Sequence, residues 1–305
     1  MQTSTSERPS GAWALVLASL LWGTTGTAAS FFPGNVSPVA VGACTMVVGG
    51  ILLFAGSLRR AVAVIRNAAS RRWLLLGALG VFVYPLAFYA SMNLAGVAVG
   101  NVVSLGTGPI FAALLEWTFE RRGLSRLWML CTLVAVVGVA LLAVGGQREE
   151  GKSPAGLVPG IALGLAAGLA YALYTYCSSR GIRISHEPGG VMGGMFGFGA
   201  IALLPVLLVF GFPLLQSGRT LAIAAYLAIG PMFVAYLLFG IGMRSLRSST
   251  ATTITLLEPV VATLLAVVVV GERLQVVGWI GLGLILAAVT LLALVTSRAA
   301  NSSAS

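Results

Sequence analysis

The chain has 305 residues, of which 58% are hydrophobic and only 9% are charged, whereas soluble domains carry roughly 25% charged residues. This composition excludes a soluble globular fold and predicts a membrane protein. The net charge of +10 would suggest a nucleic-acid partner in a soluble protein, but the arginines lie in short clusters between apolar runs, where they set membrane orientation. We therefore exclude nucleic acid as a partner and expect the lipid bilayer as the surroundings.

Ten apolar stretches follow one another along the chain, each close to the roughly 20 residues that a ~30 Å hydrocarbon core requires. The predicted spans cover residues 11–31, 38–58, 71–92, 97–119, 126–145, 156–178, 188–211, 220–243, 249–270 and 275–296. The longest connectors hold Arg59 to Arg72 and Gln147 to Ala155, which leaves no room for a soluble domain. The first span could be read as a cleaved signal peptide, but cleavage would leave nine spans, and we interpret it as a retained helix.

Orientation follows from the distribution of Lys and Arg. With a cytoplasmic N-terminus, the inner residues are Arg8, Arg59, Arg60, Arg66, Arg71, Arg72, Arg121, Arg122, Arg126, Arg180, Arg183, Arg244, Arg247 and Arg298. Only Arg148, Lys152, Arg219 and Arg273 then lie outside. This bias predicts a multi-pass protein of the cell inner (plasma) membrane with both termini in the cytoplasm.

Cysteine and histidine give no sign of a metal site. Cys44, Cys131 and Cys177 fall in three different apolar runs without metal-ligand spacing, and His186 lies in a predicted cytoplasmic loop. The chain has no Gly-rich turn for ATP and no aspartate. We therefore expect no metal, no cofactor and no ATP, and an enzyme is disfavoured because the spans lack a paired catalytic set.

The two halves of the chain resemble each other. A shift of 150 residues superposes Pro109 on Pro259 and Leu141 to Ala143 on Leu291 to Ala293, and a shift of 149 places Trp22 on Tyr171. Five spans per copy is an odd number, so the second copy must enter the membrane from the opposite side. The predicted fold is an all-α membrane protein of ten transmembrane helices, arranged as two inverted five-helix repeats of the kind found in secondary transporters.

This duplication predicts a simple domain division. The predicted segments are a cytoplasmic tail (1–10), a first repeat (11–145), a periplasmic linker (146–155), a second repeat (156–296) and a cytoplasmic tail (297–305).

The segment Glu258 to Leu274, EPVVATLLAVVVVGERL, resembles the end of an EamA domain of the drug/metabolite transporter (DMT) superfamily. The first half carries a weaker copy in Trp22-Gly23 and in Gly108 through Glu120. Within the superfamily, the ten-span length is similar to that of YddG-type (aromatic) amino-acid exporters. The resemblance implies a central cavity walled mainly by the first, third, fourth, sixth, eighth and ninth helices. Gly108 stands where the family has an acidic residue. This departure argues against any mechanism that needs two symmetric carboxylates.

Aromatic residues at mid-membrane depth are candidates for this cavity wall. Trp22 lies roughly 15 Å into the first span at 1.5 Å per residue, and its counterpart Tyr171 is similarly deep in the sixth. Tyr174 lies one turn from Tyr171, and Tyr84 and Tyr236 are also mid-span. Aromatic walls with polar tips suit a cavity that binds apolar side chains and stays wet. The alternative is ordinary helix packing.

Two polar helix faces at span depth are a second set of candidates, since unpaired polar groups in hydrocarbon are costly. The residues are Asn101, Ser104 and Thr107 with Gly108 in the fourth span, and Thr252, Thr255 and Glu258 in the ninth. They could line a path for a zwitterionic substrate. Alternatively, they make interhelical hydrogen bonds as small polar residues commonly do in membranes.

Glu258 is the only carboxylate predicted near mid-membrane, roughly 13 Å into its span at 1.5 Å per residue. Such a residue is a functional candidate, as a proton carrier or a counter-charge for an ammonium group. Because Pro259 removes a backbone donor and kinks the helix, Glu258 could instead be protonated and bonded to the backbone. Pro109 is the equivalent predicted kink in the first half, and Glu116 is expected to be interfacial or paired.

These features favour a secondary transporter that exports amino acids or related small metabolites by alternating access. A rival in the same class is multidrug efflux, in which Glu258 and its aromatic neighbours hold lipophilic cations. A non-transporting membrane scaffold and an intramembrane enzyme are the remaining alternatives. The small-molecule substrate, the coupling ion and the oligomeric state are not predicted.

Overall fold

The computed structural model describes residues 11–121, 123–145, 154–271 and 273–302. The predicted tail at residues 1–10, most of the linker at residues 146–155, and residues 303–305 of the second tail lie outside the described residues. Within the described ranges the chain is helical and contains no strand. The α-helices are Gly11–Ala29, Pro38–Gly56, Leu58–Arg66, Ala68–Ala95, Val97–Glu120, Arg126–Gly145, Pro154–Ser185, Pro188–Phe210, Gly218–Leu227, Ala235–Met243, Ser248–Ile254, Leu257–Leu265 and Val276–Ser302.

Within the described ranges, ten segments are long and apolar enough to cross a membrane, which confirms the predicted all-α fold with ten spans. The first five are Gly11–Ala29, Pro38–Gly56, Ala68–Ala95, Val99–Glu120 and Arg126–Gly145. The second five are Ala155–Ser185, Pro188–Phe210, Gly218–Met243, Ser248–Val270 and Val276–Val295. The third and sixth are longer than predicted, because the helices continue through polar residues at their ends.

The connector between the second and third spans contains a helix, Leu58–Arg66, that the pattern of apolar runs did not predict. It is amphipathic: Ala61 and Val64 are buried, and Arg59, Arg60 and Arg66 are exposed. The buried side packs on the seventh span. A search for long apolar runs misses this helix because it is short and interrupted by arginines, and because its order comes from packing.

Spans from the two halves pack against each other throughout the bundle. The third span packs extensively on the sixth, the second on the seventh, and the fifth on the tenth. The last pair is close enough that a Cβ on Gly138 would lie 2.8 Å from the Gly281 carbonyl oxygen. Small residues at helix crossings allow such close approach in membranes.

Two spans of the second half depart from regular α-helix at mid-membrane. The eighth contains a π-helical segment, Ala228–Val234, which includes Pro231. The ninth is interrupted between Ile254 and Leu257, where the Glu258 N–H donates to the Thr255 carbonyl at 3.0 Å. The fourth span stays helical through Pro109, so the two predicted kinks differ in structure.

Candidate functional site

A cavity of about 120 Å³ lies at the centre of the bundle, enough for several water molecules. Its walls come from both halves of the chain. The lining residues are Trp22, Thr25, Gly42, Thr45, Met46, Tyr84, Pro85, Phe88, Tyr89, Leu105, Tyr171, Tyr174, Leu227, Pro231, Met232, Tyr236 and Glu258. Most of these residues lie at mid-span or in the half of the span that is farther from the N-terminal end of the bundle. The cavity therefore extends from mid-membrane towards the opposite end.

The cavity wall is a contiguous group of aromatic rings. Trp22 packs on Tyr236 with ring centroids 5.0 Å apart. Tyr84 contacts Tyr171 at 5.7 Å and Tyr174 at 6.1 Å. The structure therefore brings all five predicted aromatic residues together, although they come from the first, third, sixth and eighth spans.

Hydroxyl pairs join the spans around the cavity. The Tyr171 hydroxyl lies 2.6 Å from Thr255 Oγ1, which links the sixth span to the ninth. The Tyr174 and Tyr236 hydroxyls are 3.1 Å apart and link the sixth span to the eighth. These bonds fix the tyrosine rings, so the wall is held by polar contacts as well as by apolar packing.

Glu258 reaches the cavity from the first turn of the helix Leu257–Leu265. Among the described residues the Glu258 carboxylate has no hydrogen-bond or ion-pair partner. Glu258 is partly exposed, and it lines the cavity. The alternative in which the Glu258 side chain is hydrogen-bonded to the backbone is not present in the described part of the chain. The carboxylate is therefore available to a molecule in the cavity.

The predicted polar faces are placed differently from the aromatic residues. Asn101, Ser104, Thr107, Thr252 and Thr255 are not among the cavity-lining residues. Ser104 is fully buried, and a Cβ added to Gly168 would lie 2.8 Å from the Ser104 carbonyl, so this part of the fourth span faces the sixth. Thr107 and Thr252 donate to backbone carbonyls of their own helices, and Thr255 holds Tyr171.

Gly108 has a structural reason for being small. A Cβ at this position would lie 2.7 Å from Cδ1 of Tyr171, closer than real Cβ contacts allow. The Tyr171 ring thus occupies the space that an acidic side chain at position 108 would need. The asymmetry between Gly108 and Glu258 follows from this packing.

The second span lines the cavity, although it was not among the helices expected to form its wall. Gly42, Thr45 and Met46 contribute from this span. Thr25 of the first span and Tyr89 of the third also line the cavity, on the side away from the N-terminal end of the bundle. Thr45 is a polar residue within an apolar run, and this signal could have identified it. Gly42 and Met46 carry no polar signal, so only the packing places them at the cavity.

The charge of the lining is one-sided. Among the described lining residues Glu258 is the only ionisable group of either sign besides the tyrosines, and none is Lys, Arg or His. A carboxylate surrounded by aromatic faces suits an ammonium or other organic cation. The described residues contain no group of three or more His, Cys, Asp or Glu able to hold a metal ion.

Two carboxylates of the fourth span join it to neighbouring spans at the end of the bundle nearer the N-terminus. Glu116 is 1% exposed and accepts hydrogen bonds from the Ser248 and Ser249 side chains and from the Ser249 N–H at the start of the ninth span. Glu120 forms a two-pronged ion pair with Arg183 of the sixth span, at 2.9 and 3.1 Å. The fourth span is thereby fastened to both the sixth and the ninth spans.

Comparison with known proteins agrees with this architecture. The model of the EamA-like transporter family matches residues 9–144 and again residues 158–294. A crystal structure 24% identical in sequence superposes with a TM-score of 0.78, covering 94% of this chain and 98% of that one, which shows a shared fold.

Curated relatives extend over most of the chain. An uncharacterized transporter, YwfM of Bacillus subtilis, is 29% identical over 89% of this chain and 90% of its own length. The aromatic amino acid exporter YddG of Ancylobacter novellus is 26% identical over 82% of this chain and 85% of its own. The threonine/homoserine exporter RhtA of Escherichia coli is 29% identical over 66% of this chain and 64% of its own.

The family model thus covers nearly the whole chain in two matches, and spans from both halves line a cavity. The family and these relatives are transporters rather than enzymes. The protein is a multi-pass membrane transporter of the EamA-like family, within the drug/metabolite transporter superfamily.

Proposed function

We propose that this protein is a secondary transporter that exports amino acids or related amino-containing metabolites across the cell inner membrane by alternating access. The observation that carries this proposal is the unpartnered carboxylate of Glu258 inside a central aromatic cavity. A buried carboxylate needs a counter-charge or a proton, and a substrate ammonium group supplies the former. The relatives named for amino-acid export support the same substrate class.

The proposed substrate site consists of the cavity residues together with the groups that position them. Trp22, Tyr84 and Tyr236 form faces for an apolar side chain, and Glu258 pairs with the ammonium. Tyr171, Tyr174 and Thr255 hold the wall in place. Asn101, Ser104, Thr107 and Thr252 remain proposed as path residues in other states of the cycle, when the fourth and ninth spans separate from their present neighbours.

The closed end supports an outward-facing assignment for this state. If the N-terminus is cytoplasmic, as the arginine distribution predicts, then Glu116 and Glu120 close the cytoplasmic side and the cavity lies towards the periplasm. Two inverted repeats, proposed as residues 11–145 and 156–296, would exchange these roles by rocking. The interruptions near Pro231 and Pro259 are the proposed hinges, with Pro109 as a flexible point in the fourth span.

Efflux of lipophilic cations is the second candidate, and the one-sided charge of the lining favours it. No Lys, Arg or His among the described lining residues is available for a substrate carboxylate. An amino acid would have to place that carboxylate against hydroxyl groups such as those of Thr25 and Thr45, whereas an organic cation has no carboxylate to place.

A counterflow assay in proteoliposomes tests both candidates. Vesicles containing the full-length protein would be loaded with one unlabelled probe and challenged with the same probe in labelled form. The probes are phenylalanine, threonine, their decarboxylated amines, their N-acetyl derivatives, and tetraphenylphosphonium. Export of amino acids predicts exchange of the free amino acids and none of the N-acetyl forms. Exchange of tetraphenylphosphonium without amino acids would favour cation efflux, and absence of exchange with every probe would contradict both candidates.

The variant Glu258→Gln sharpens the test. If the carboxylate binds the ammonium, this variant lowers the apparent affinity for amines at least tenfold while the protein still folds. Glu187→Gln, outside the cavity, is the matched control and is expected to leave flux unchanged. Repeating the assay with and without a pH gradient shows whether Glu258 also carries a proton, because only a proton-coupled carrier would respond to the gradient through this residue.

A further inference from the structure

A second cavity lies between the fourth and fifth spans, at their ends nearer the N-terminal end of the bundle. Its volume is about 510 Å³, within the roughly 300–1,000 Å³ of small-ligand sites. The lining residues are Ile110, Ala113, Leu114, Trp117, Leu124, Trp128, Met129, Thr132, Leu133 and Val136. We call this cavity the 4–5 groove.

The 4–5 groove has a buried floor and a side that opens on the outside of the bundle. Ala113, Trp128 and Thr132 are buried at its floor, and the Thr132 hydroxyl already pairs with Thr253 Oγ1 at 2.9 Å. Leu114 and Leu133 on its walls are at least half exposed. Because both spans cross the hydrocarbon core, this open side faces lipid tails, and an apolar chain can enter the groove from there.

The length of the groove matches the depth of one leaflet. Arg126, Met129, Leu133 and Val136 follow one another at spacings of three or four residues, so they share one face of the helix Arg126–Gly145. From Arg126 to Val136 this face rises about 15 Å at 1.5 Å per residue, which is half of the ~30 Å hydrocarbon core. The groove therefore has the length of an extended acyl chain.

Exposed arginines flank the groove at the span ends, where lipid headgroups lie. Arg126 begins the helix of the fifth span, and Arg121 follows the helix of the fourth, one turn after Trp117. Both arginines are exposed. Arg247 Nη1 donates to the Gly123 carbonyl at 3.3 Å, which holds a third guanidinium against the connector between the two spans. The apolar groove therefore has a basic end that is accessible from outside the bundle.

The carboxylates at the end of the fourth span are engaged on other sides of that helix. Glu116 is bonded to Ser248 and Ser249 of the ninth span, and Glu120 pairs with Arg183 of the sixth. Neither carboxylate lines the groove. Because guanidinium groups bind phosphate oxygens by charge-assisted hydrogen bonds, the basic end favours an anionic headgroup.

A second copy of the chain is a poorer match for the groove. Most protein dimers are two-fold symmetric and join the same surface of both subunits. Such a contact over the groove would bring the arginines at its end close to those of the second copy, and like charges repel each other. An anionic lipid meets the same arginines with attraction.

The aromatic part of the groove belongs to one half of the chain. A shift of 150 residues places Val267 and Gly278 at the positions of Trp117 and Trp128. The same lining is therefore not expected between the ninth and tenth spans, in the opposite leaflet.

We propose that the 4–5 groove is a binding site for an anionic phospholipid, in the leaflet that faces the N-terminal end of the bundle. One acyl chain lies in the groove between Leu114 and Leu133, and the phosphate is held by the exposed guanidinium groups of Arg121, Arg126 and Arg247. This site is separate from the cavity that contains Glu258 and does not depend on which substrate is transported.

Native mass spectrometry of the delipidated full-length protein in detergent tests the site. Phosphatidylglycerol and phosphatidylcholine are titrated separately, and the dissociation constant of the first bound lipid is taken from the bound fractions. We expect phosphatidylglycerol to bind at least about tenfold more tightly, because each arginine near a headgroup favours an anionic lipid. Equal binding of the two lipids would overturn the proposal.

A first pair of variants tests the apolar groove. Leu114→Trp fills the groove from a wall residue that is 50% exposed, so the inside of the bundle is not disturbed. Leu130→Trp, at a residue of the fifth span that is 58% exposed and does not line the groove, is the matched control. We expect Leu114→Trp to weaken phosphatidylglycerol binding at least about tenfold, because the acyl chain loses its packing surface. The control should bind like the unchanged protein, and equal binding by the two variants would overturn the proposal.

A second pair of variants tests the basic end. The double variant Arg121→Gln with Arg126→Gln removes two charges beside the groove, and Arg59→Gln with Arg66→Gln removes two exposed charges from the helix Leu58–Arg66. The first should lose the preference for phosphatidylglycerol over phosphatidylcholine, and the second should keep it. An unchanged preference in the first double variant would overturn the proposal. A dimer that phosphatidylglycerol does not disturb and that Leu114→Trp abolishes would also overturn it, because the groove would then be occupied by a second copy.

Discussion

Glu116 in the last turns of the fourth span accepts a 2.6 Å hydrogen bond from Ser248 Oγ, at the first residue of the ninth span. Two more hydrogen bonds from Ser249 complete the contact, and the carboxylate is almost fully buried. A shift of 150 residues places Ala266 at the equivalent position of the second half, so that position has no carboxylate that could make the same contact. The fastening at Glu116 is therefore not repeated at the equivalent position of the second half.

Replacing Glu116 by Gln should loosen the closed end. Glutamine keeps one acceptor oxygen but removes the charge that strengthens these hydrogen bonds. One hydrogen bond to a charged group contributes about 1.5–3 kcal/mol to stability. We expect the free energy of unfolding in mixed micelles to fall by about that amount. Glu187→Gln is the control, and an unchanged unfolding midpoint in Glu116→Gln would contradict this role.

Gly108→Ala should displace the Tyr171 ring. The added Cβ would lie 2.7 Å from Tyr171 Cδ1, and overpacking of this kind costs about 1–3 kcal/mol. The moved ring also strains the Tyr171–Thr255 bond, so the affinity for any transported amine should fall. Thermal unfolding and counterflow measure the two effects.

Gly106→Ala serves as the matched control on the same helix. Its Cβ would meet Val136 Cγ1 at 3.5 Å, an ordinary contact, so its effect should stay within about 0.5 kcal/mol. Equal behaviour of the two alanine variants would show that Tyr171 is not held where the structure places it.

Trp22→Ala removes an indole that packs on Tyr236 and on Phe239, with ring centroids 5.0 and 5.5 Å apart. If this ring forms part of the substrate wall, the apparent affinity for an aromatic substrate should fall at least tenfold. Trp22→Phe keeps an aromatic face and should recover part of the loss. Trp279→Ala is the control, and unchanged affinity and flux in Trp22→Ala would refute a cavity role for Trp22.

Gly138→Val should separate the fifth and tenth spans. The new side chain would collide with the Gly281 carbonyl oxygen and with Ile285, at an overpacking cost of about 1–3 kcal/mol. Gly283→Val, where a Cβ meets nothing within 4 Å, controls for the change of residue type. The unfolding free energies of the two variants should differ by at least about 1 kcal/mol, and equal values would argue against this crossing.

The sequence predicted the ten spans because each stretch must satisfy a physical requirement by itself. About 20 apolar residues are needed to cross the hydrocarbon core, and every backbone group inside it must be bonded within the helix. The Leu58–Arg66 helix escaped prediction for the converse reason. It is short and rich in arginine, and it is ordered only because Ala61 and Val64 pack on the seventh span.

For the candidate site, depth along each span identified Trp22, Tyr84, Tyr171, Tyr174, Tyr236 and Glu258 as cavity candidates, and all six line it. Depth does not specify which way a helix is rotated. The Ser104 side of the fourth span therefore had to be located by the packing on the sixth span, and Thr45 of the second span was overlooked.

The sequence by itself determined the membrane fold, the duplication and the carboxylate at mid-membrane, because hydropathy, repeated residues and residue depth are properties of single segments. Only the tertiary structure decided that Glu258 faces a cavity without a partner among the described residues, while Glu116 is fully bonded at the closed end. The physical reason is that the two glutamates differ in what surrounds them: serines from the ninth span bond Glu116, and aromatic walls from four spans leave Glu258 open.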